Sequence, residues 1–115
     1  MDPALLVGIG GAIGSVFRFV LSKVPTFKGI PLGTFIVNVT GSGALAILVF
    51  SQAPDTVLYF TGTGILGGYT TFSTFSYETF RMMENHDYYT MGINILLNAG
   101  GSLIGVLLGF WIVTG

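Results

Sequence analysis

The chain has 115 residues, of which only four are basic and five acidic, with a formal net charge of −1 and no cysteine. That balance gives no sign of nucleic-acid binding, and the lack of cysteine excludes disulfides and thiolate metal sites. The charges are unevenly spread, leaving charge-free stretches from Pro3 to Phe17, Gly29 to Pro54, Thr56 to Tyr77 and Tyr88 to Gly115. A bilayer-spanning helix needs roughly 20 mainly apolar residues, and a soluble bundle would show polar helix faces that these stretches lack. The expected class is an all-α membrane protein of one integral-membrane domain, 1–115, with four transmembrane helices at about 4–22, 32–52, 57–80 and 89–113.

The first span carries the string Gly8-Ile9-Gly10-Gly11-Ala12-Ile13-Gly14. It is not a dinucleotide-binding loop, because no strand precedes it and no acid follows about 20 residues later. It is not a signal peptide either, since it lacks a basic start and three further spans follow. Pro25 and Pro31 bracket the first loop, and Pro54-Asp55 marks the second. Between them, Thr34, Asn38 and Ser42 recur every four residues and so share one side of the second helix.

The third span contains Gly67-Gly68-Tyr69-Thr70-Thr71-Phe72-Ser73-Thr74-Phe75. Two glycines and a cluster of hydroxyls are poor material for a lipid-facing helix. Non-helical backbone at membrane depth survives only where protein or a cavity satisfies its polar groups, so the motif predicts a break in the third helix near its middle. Glu84-Asn85-His86-Asp87 forms the third loop, where His86 reads as a solvated histidine. The fourth span repeats the polar spacing with Asn94, Asn98 and Ser102, and Tyr88, Tyr89 and Trp111 flank it as interfacial aromatics do.

Glycines four apart (Gly10 and Gly14, Gly64 and Gly68, then Gly101, Gly105 and Gly109) predict close helix-to-helix packing in lipid. All four basic residues, Arg18, Lys23, Lys28 and Arg81, fall on the side of loops one and three, which by the positive-inside count would face the cytoplasm.

Either polar stripe alone is explained by interhelical hydrogen bonds. Two stripes beside a helix break point instead to a track that replaces an ion's hydration shell. Asn amides and Ser and Thr hydroxyls offer donors, and the edges of Phe72 and Phe75 carry positive charge density. Such a lining suits a small anion.

These residues carry a family resemblance. Gly10-Gly11-Ala12-Ile13-Gly14-Ser15 with Arg18, Gly33-Thr34-Phe35 with Val37-Asn38 and Gly41, and Gly67 through Ser76 followed by Glu78 resemble the Fluc/CrcB fluoride channels over essentially the full chain. The resemblance implies an antiparallel, dual-topology-type dimer of four-helix subunits in the cell's inner (plasma) membrane, with two fluoride pathways. It implies passive fluoride efflux that lowers cytoplasmic fluoride and relieves its toxicity. It further implies a structural, untransported Na+ at the dimer centre, held by backbone carbonyls matching Gly67 and Thr70. The matched pathway residues are Asn38, Phe72, Ser73, Thr74, Phe75 and Ser102, with Asn98 where some members place tyrosine. Glu78 matches an acid near the pore mouth. Arg18 matches a first-helix arginine that either draws anions into a vestibule or snorkels to the interface.

The four-to-zero basic bias sits awkwardly with a chain that inserts both ways, so a homodimer and a heterodimer with a paralogue both stand. A proton-coupled multidrug exporter has the same length and span count, but would need an ionisable residue deep in the membrane. A purely structural assembly subunit leaves the hydroxyl-rich break unexplained. No nucleophile–base pair or metal cluster supports an enzyme.

Overall fold

A computed structural model describes residues 2–115, and the chain is all-helical apart from its connections. Helix α1 spans Pro3–Leu21, α2 Leu32–Phe50, α4 Phe72–Glu84 and α5 Tyr88–Thr114; α3 is the continuous helical segment 55–69. Helices α1, α2 and α5 are each long and apolar enough to cross a membrane. The expected third span is divided into α3 and α4 by two extended residues, Thr70 (φ −77°, ψ 156°) and Thr71 (φ −147°, ψ 115°). This is the break that the glycine and hydroxyl motif predicts.

Local chemistry sets the helix ends. The Asp2 carboxylate accepts from Ala4 N at 2.8 Å ahead of Pro3, and Asp87 accepts from Thr90 N at 3.3 Å at the start of α5. Both satisfy amide donors left over at a helix N-terminus. Between α1 and α2, Phe27 and Ile30 exchange two backbone hydrogen bonds of 3.0 and 2.9 Å across a tight turn. Its central residues, Lys28 and Gly29, both have positive φ (52° and 81°), the geometry that closes a two-residue hairpin.

Helix α1 packs on α3, and α2 on α5. The glycines make both contacts close. A methyl group added at Gly14 would overlap the backbone of Ile65, and one at Gly109 would lie 2.7 Å from Gly43 O. Without a hydrophobic driving force between helices in lipid, backbone-to-backbone approach of this kind holds them. One feature has no counterpart in the sequence pattern: Leu58–Leu66 of α3 runs as a π-helix rather than an α-helix.

The polarity of the molecule is inverted relative to a soluble protein. The buried hydrophobic residues are Ile30, Val37 and Ala46, whereas Thr34, Thr71, Asn94 and Asn98 are buried polar ones. Outside, Leu96, Trp111, Phe19 and Leu103 are more than half exposed. An apolar exterior around a polar interior is what hydrocarbon solvent requires. The chain is a multi-pass membrane protein.

Candidate ion pathway at the helix break

At the break, the amide of Thr71 leaves the helical ladder. In an unbroken helix it would donate to Gly67 O; here it donates to Asn38 Oδ1 at 2.9 Å. Asn38 Nδ2 returns a bond to Thr71 O at 3.1 Å, so one side chain of α2 satisfies both backbone groups of an extended residue at membrane depth. Thr70 closes the last turn of α3, its amide and hydroxyl both donating to Leu66 O at 2.9 and 3.0 Å. Thr71 opens α4, its hydroxyl accepting from Thr74 N at 3.0 Å as an N-cap. Two adjacent threonines thus end one helix and begin the next.

Two recesses meet at Thr71. The first, about 310 Å3, is lined by Asn38, Ser42, Thr70, Phe72, Phe75, Asn98 and Ser102 as well as Thr71. It collects five of the seven pathway residues predicted from sequence: Asn38, Phe72, Phe75, Asn98 and Ser102. The Phe72 and Phe75 rings lie 6.0 Å apart, tilted by 43°, with Phe72 79% exposed. Ser73 and Thr74 are not in this recess. They line the second, about 280 Å3, with Arg18, Ser15, Ser22 and Thr34. A helical residue pair immediately after Phe72 must turn away from the face that Phe72 and Phe75 share, so the hydroxyls of the motif serve the Arg18 side. The α2 stripe threads both recesses, with Thr34 in the second, Ser42 in the first, and Asn38 at Thr71 between them.

Arg18 is half-buried and, among the described residues, makes no ion pair; the ion pair present joins exposed Arg81 and Glu84 at 3.8 Å. Glu78 is not among the residues lining either recess, but it accepts from the buried Thr34 hydroxyl at 2.7 Å and so ties α4 to α2. Gly67 and Thr70 line a smaller recess of about 150 Å3 with Gly41, Ser42, Leu45, Gly62 and Leu66. A methyl group added at Gly67 would meet nothing within 4 Å.

The amides are deployed differently from the sequence expectation. Both Nδ2 hydrogens of Asn38 are engaged, by Thr71 O and by Asn98 Oδ1 at 3.2 Å. Asn98 Nδ2 in turn donates to Asn94 O and Oδ1 at 3.0 and 3.2 Å. These asparagines line the first recess with their donors spent inside the chain. Among the described residues, Ser42 and Ser102 make no such side-chain hydrogen bond, which leaves their hydroxyls as donors there. Three residues outside the predicted pathway set join the site: Thr71 of the break motif, the fully buried Asn94 of the fourth-span stripe, and Thr79, whose hydroxyl accepts from Asn94 Nδ2 at 3.2 Å. The only sequence signal for Asn94 was its four-residue spacing from Asn98; Thr79 had none.

The family model described as "CrcB-like protein, Camphor Resistance (CrcB)" matches residues 5–110. The chain belongs to the CrcB family. This CrcB-family chain is 44% identical over 111 residues to the protein named "Fluoride-specific ion channel FluC 1" of Methanosarcina barkeri, covering 96% of each. It is 44% identical over 114 residues to "Fluoride-specific ion channel FluC" of Methanococcus maripaludis, covering 95% of this chain and 93% of that one. A similarly named protein of Methanocaldococcus jannaschii matches at 44% identity over 110 residues, or 91% of this chain and 89% of the other. These relatives are named as ion channels, not as enzymes.

Proposed function

We propose that this chain is a fluoride-selective channel that lets fluoride leave the cell passively, in the inner (plasma) membrane, and thereby lowers its toxic cytoplasmic concentration. The observation that carries the reading is the unwound Thr70–Thr71 step, set between an unpaired guanidinium on one side and two neighbouring phenylalanine rings on the other, in a relative of proteins named as fluoride-specific channels. The second recess, with Arg18, Ser73 and Thr74, gathers the anion in a polar vestibule. Glu78, bonded to Thr34 at its margin, holds that wall in place. The ion then passes Thr71 into the first recess, where the edges of Phe72 and Phe75 and the hydroxyls of Ser42 and Ser102 face it, along a wall shaped by Asn38 and Asn98. Ring edges and hydroxyls stabilise an anion without fixed positive charge, and so do not trap it.

The functional unit in this reading is an antiparallel dimer. A structural Na+ at its centre would be held by the carbonyls of Gly67 and Thr70. The donor set suits the ion, because the Thr71 amide that would cap Gly67 O is diverted to Asn38 and hard carbonyl oxygen is what sodium favours. When bound, that cation would supply positive charge to offset the carbonyl oxygens of Gly67 and Thr70 left without amide partners.

The deciding experiment is efflux from liposomes containing purified protein. Rapid fluoride loss with negligible chloride loss is expected, and equal rates for the two ions would refute selectivity.

A further inference from the structure

The polar side chains around the break form a directed chain. Thr71 N–H can only donate and Thr71 O can only accept, which fixes the Asn38 amide with its oxygen toward the former and its nitrogen toward the latter. The remaining Asn38 N–H then needs an acceptor and finds Asn98 Oδ1 at 3.2 Å. Asn98 must therefore present its nitrogen to Asn94, where it meets Oδ1 at 3.2 Å and the backbone oxygen at 3.0 Å. That leaves Asn94 Nδ2 to donate to Thr79 Oγ1 at 3.2 Å. Apart from the bond that Asn38 returns to Thr71 O, the side-chain donors point one way, from the break through α2 and α5 and back to α4. The terminal group, a hydroxyl, is the only member free to rotate between donor and acceptor roles.

Hydrogen bonds aligned head to tail polarise one another, and in a low-dielectric interior an unpaired member is costly. Asn94 has no exposed surface, and Asn98 is 5% exposed, so neither amide can turn to solvent when its partner is lost. From this geometry we infer that Asn94 and Thr79 are positioning residues for the ion pathway. Together they supply the far end of the amide chain, and through Asn98 and Asn38 they hold the extended conformation of Thr71. They line no part of the first recess and touch no ion there; they act through the residues that do. The inference deepens the fluoride-channel reading and rests on it for its flux readout.

The test uses full-length protein in liposomes, with three variants and two measurements. Thr79→Val exchanges the acceptor hydroxyl for a methyl of similar size, Thr79→Ser keeps the hydroxyl, and Asn94→Leu removes the last amide. Fluoride efflux per folded protein should fall about tenfold in Thr79→Val and Asn94→Leu, the factor expected from one buried hydrogen-bond partner lost, and recover in Thr79→Ser. NMR of protein labelled with 15N-asparagine supplies a readout that a general packing defect would not move. The side-chain amide signals of Asn98 and Asn38 should shift in Thr79→Val, although neither touches Thr79, and return toward wild type in Thr79→Ser. If Asn94→Leu fails to fold, the near-isosteric pair at Thr79 still decides. Wild-type flux in Thr79→Val, or unmoved Asn38 and Asn98 signals, would overturn the relay. A wild-type protein that passes no fluoride defeats the channel reading instead, while the amide signals continue to test the relay.

Discussion

Asn38 grips Thr71 by both of its backbone polar groups, accepting from the amide at 2.9 Å and donating to the carbonyl at 3.1 Å. Thr71 is buried, so without this clasp neither group has water to turn to. Asn38→Ala is expected to lower stability by about 1–3 kcal/mol, the cost of buried groups left unpaired. Thermal unfolding in detergent micelles measures it. A midpoint equal to wild type would show that the extended step needs no side chain to hold it.

Beside the second recess, the Thr34 hydroxyl donates to Glu78 at 2.7 Å, linking α2 to α4. Thr34→Val and Glu78→Ala should each destabilise by about 1 kcal/mol, with the double variant costing less than the sum, because both remove one bond. Strict additivity in that cycle would mean the two side chains contribute independently.

Glycine tolerance should split by position. Gly14 has the backbone of Ile65 where a methyl would go, whereas Gly8, two turns earlier on the same helix, has nothing within 4 Å. Gly14→Ala forces α1 off α3 and is expected to cost about 1–3 kcal/mol as overpacking. Gly8→Ala should be neutral or stabilising by up to about 1 kcal/mol, since alanine is the better helix former. Equal effects at the two sites would contradict the α1–α3 packing described above.

Much of this was legible in the sequence because the bilayer makes composition explicit. Charge-free runs located the helices to within a few residues, and the glycines marked the close contacts. Gly67 through Phe75 located the break because clustered glycines and hydroxyls make a poor lipid-facing helix. What the pattern could not give was partnership. A stripe of Thr34, Asn38 and Ser42 says which face is polar, not that Asn38 would spend both hydrogens on one threonine and a second asparagine. Residues after Thr71 divide between the two recesses, Phe72 and Phe75 in the first and Ser73 and Thr74 in the second, with the two dihedral angles at the break setting where α4 begins. The π-helical turns of Leu58–Leu66 left no periodic trace, since shifting the hydrogen bonds from i+4 to i+5 over nine uncharged residues hardly alters the pattern.

Phe72 and Phe75 separate a packing role from a transport role. Phe72 is 79% exposed, so replacing it removes little of the chain's own core. Phe72→Ile and Phe75→Ile keep the bulk and hydrophobicity but lose the positive ring edge. Each should fold normally and lower fluoride efflux at least about tenfold, equivalent to roughly 1.4 kcal/mol of added barrier. Transport at the wild-type rate in both variants would remove the rings from the mechanism.

The orientation of the chain can be read directly because it contains no cysteine. Single cysteines at Lys28, in the first loop, and at Ser51, beside the second, place reporters on opposite sides of the membrane. The basic residues alone predict that the first loop faces the cytoplasm in every copy, since all four lie on that side. The proposed antiparallel pair demands otherwise if both members are this chain. Each reporter should then react with an impermeant thiol reagent from outside in about half of the copies, as a two-fold pair of oppositely inserted subunits requires. Labelling of one reporter from one side only would rule out dual insertion. It would leave the pairing to a second, related subunit of opposite orientation, with the basic loops fixing the direction of this one.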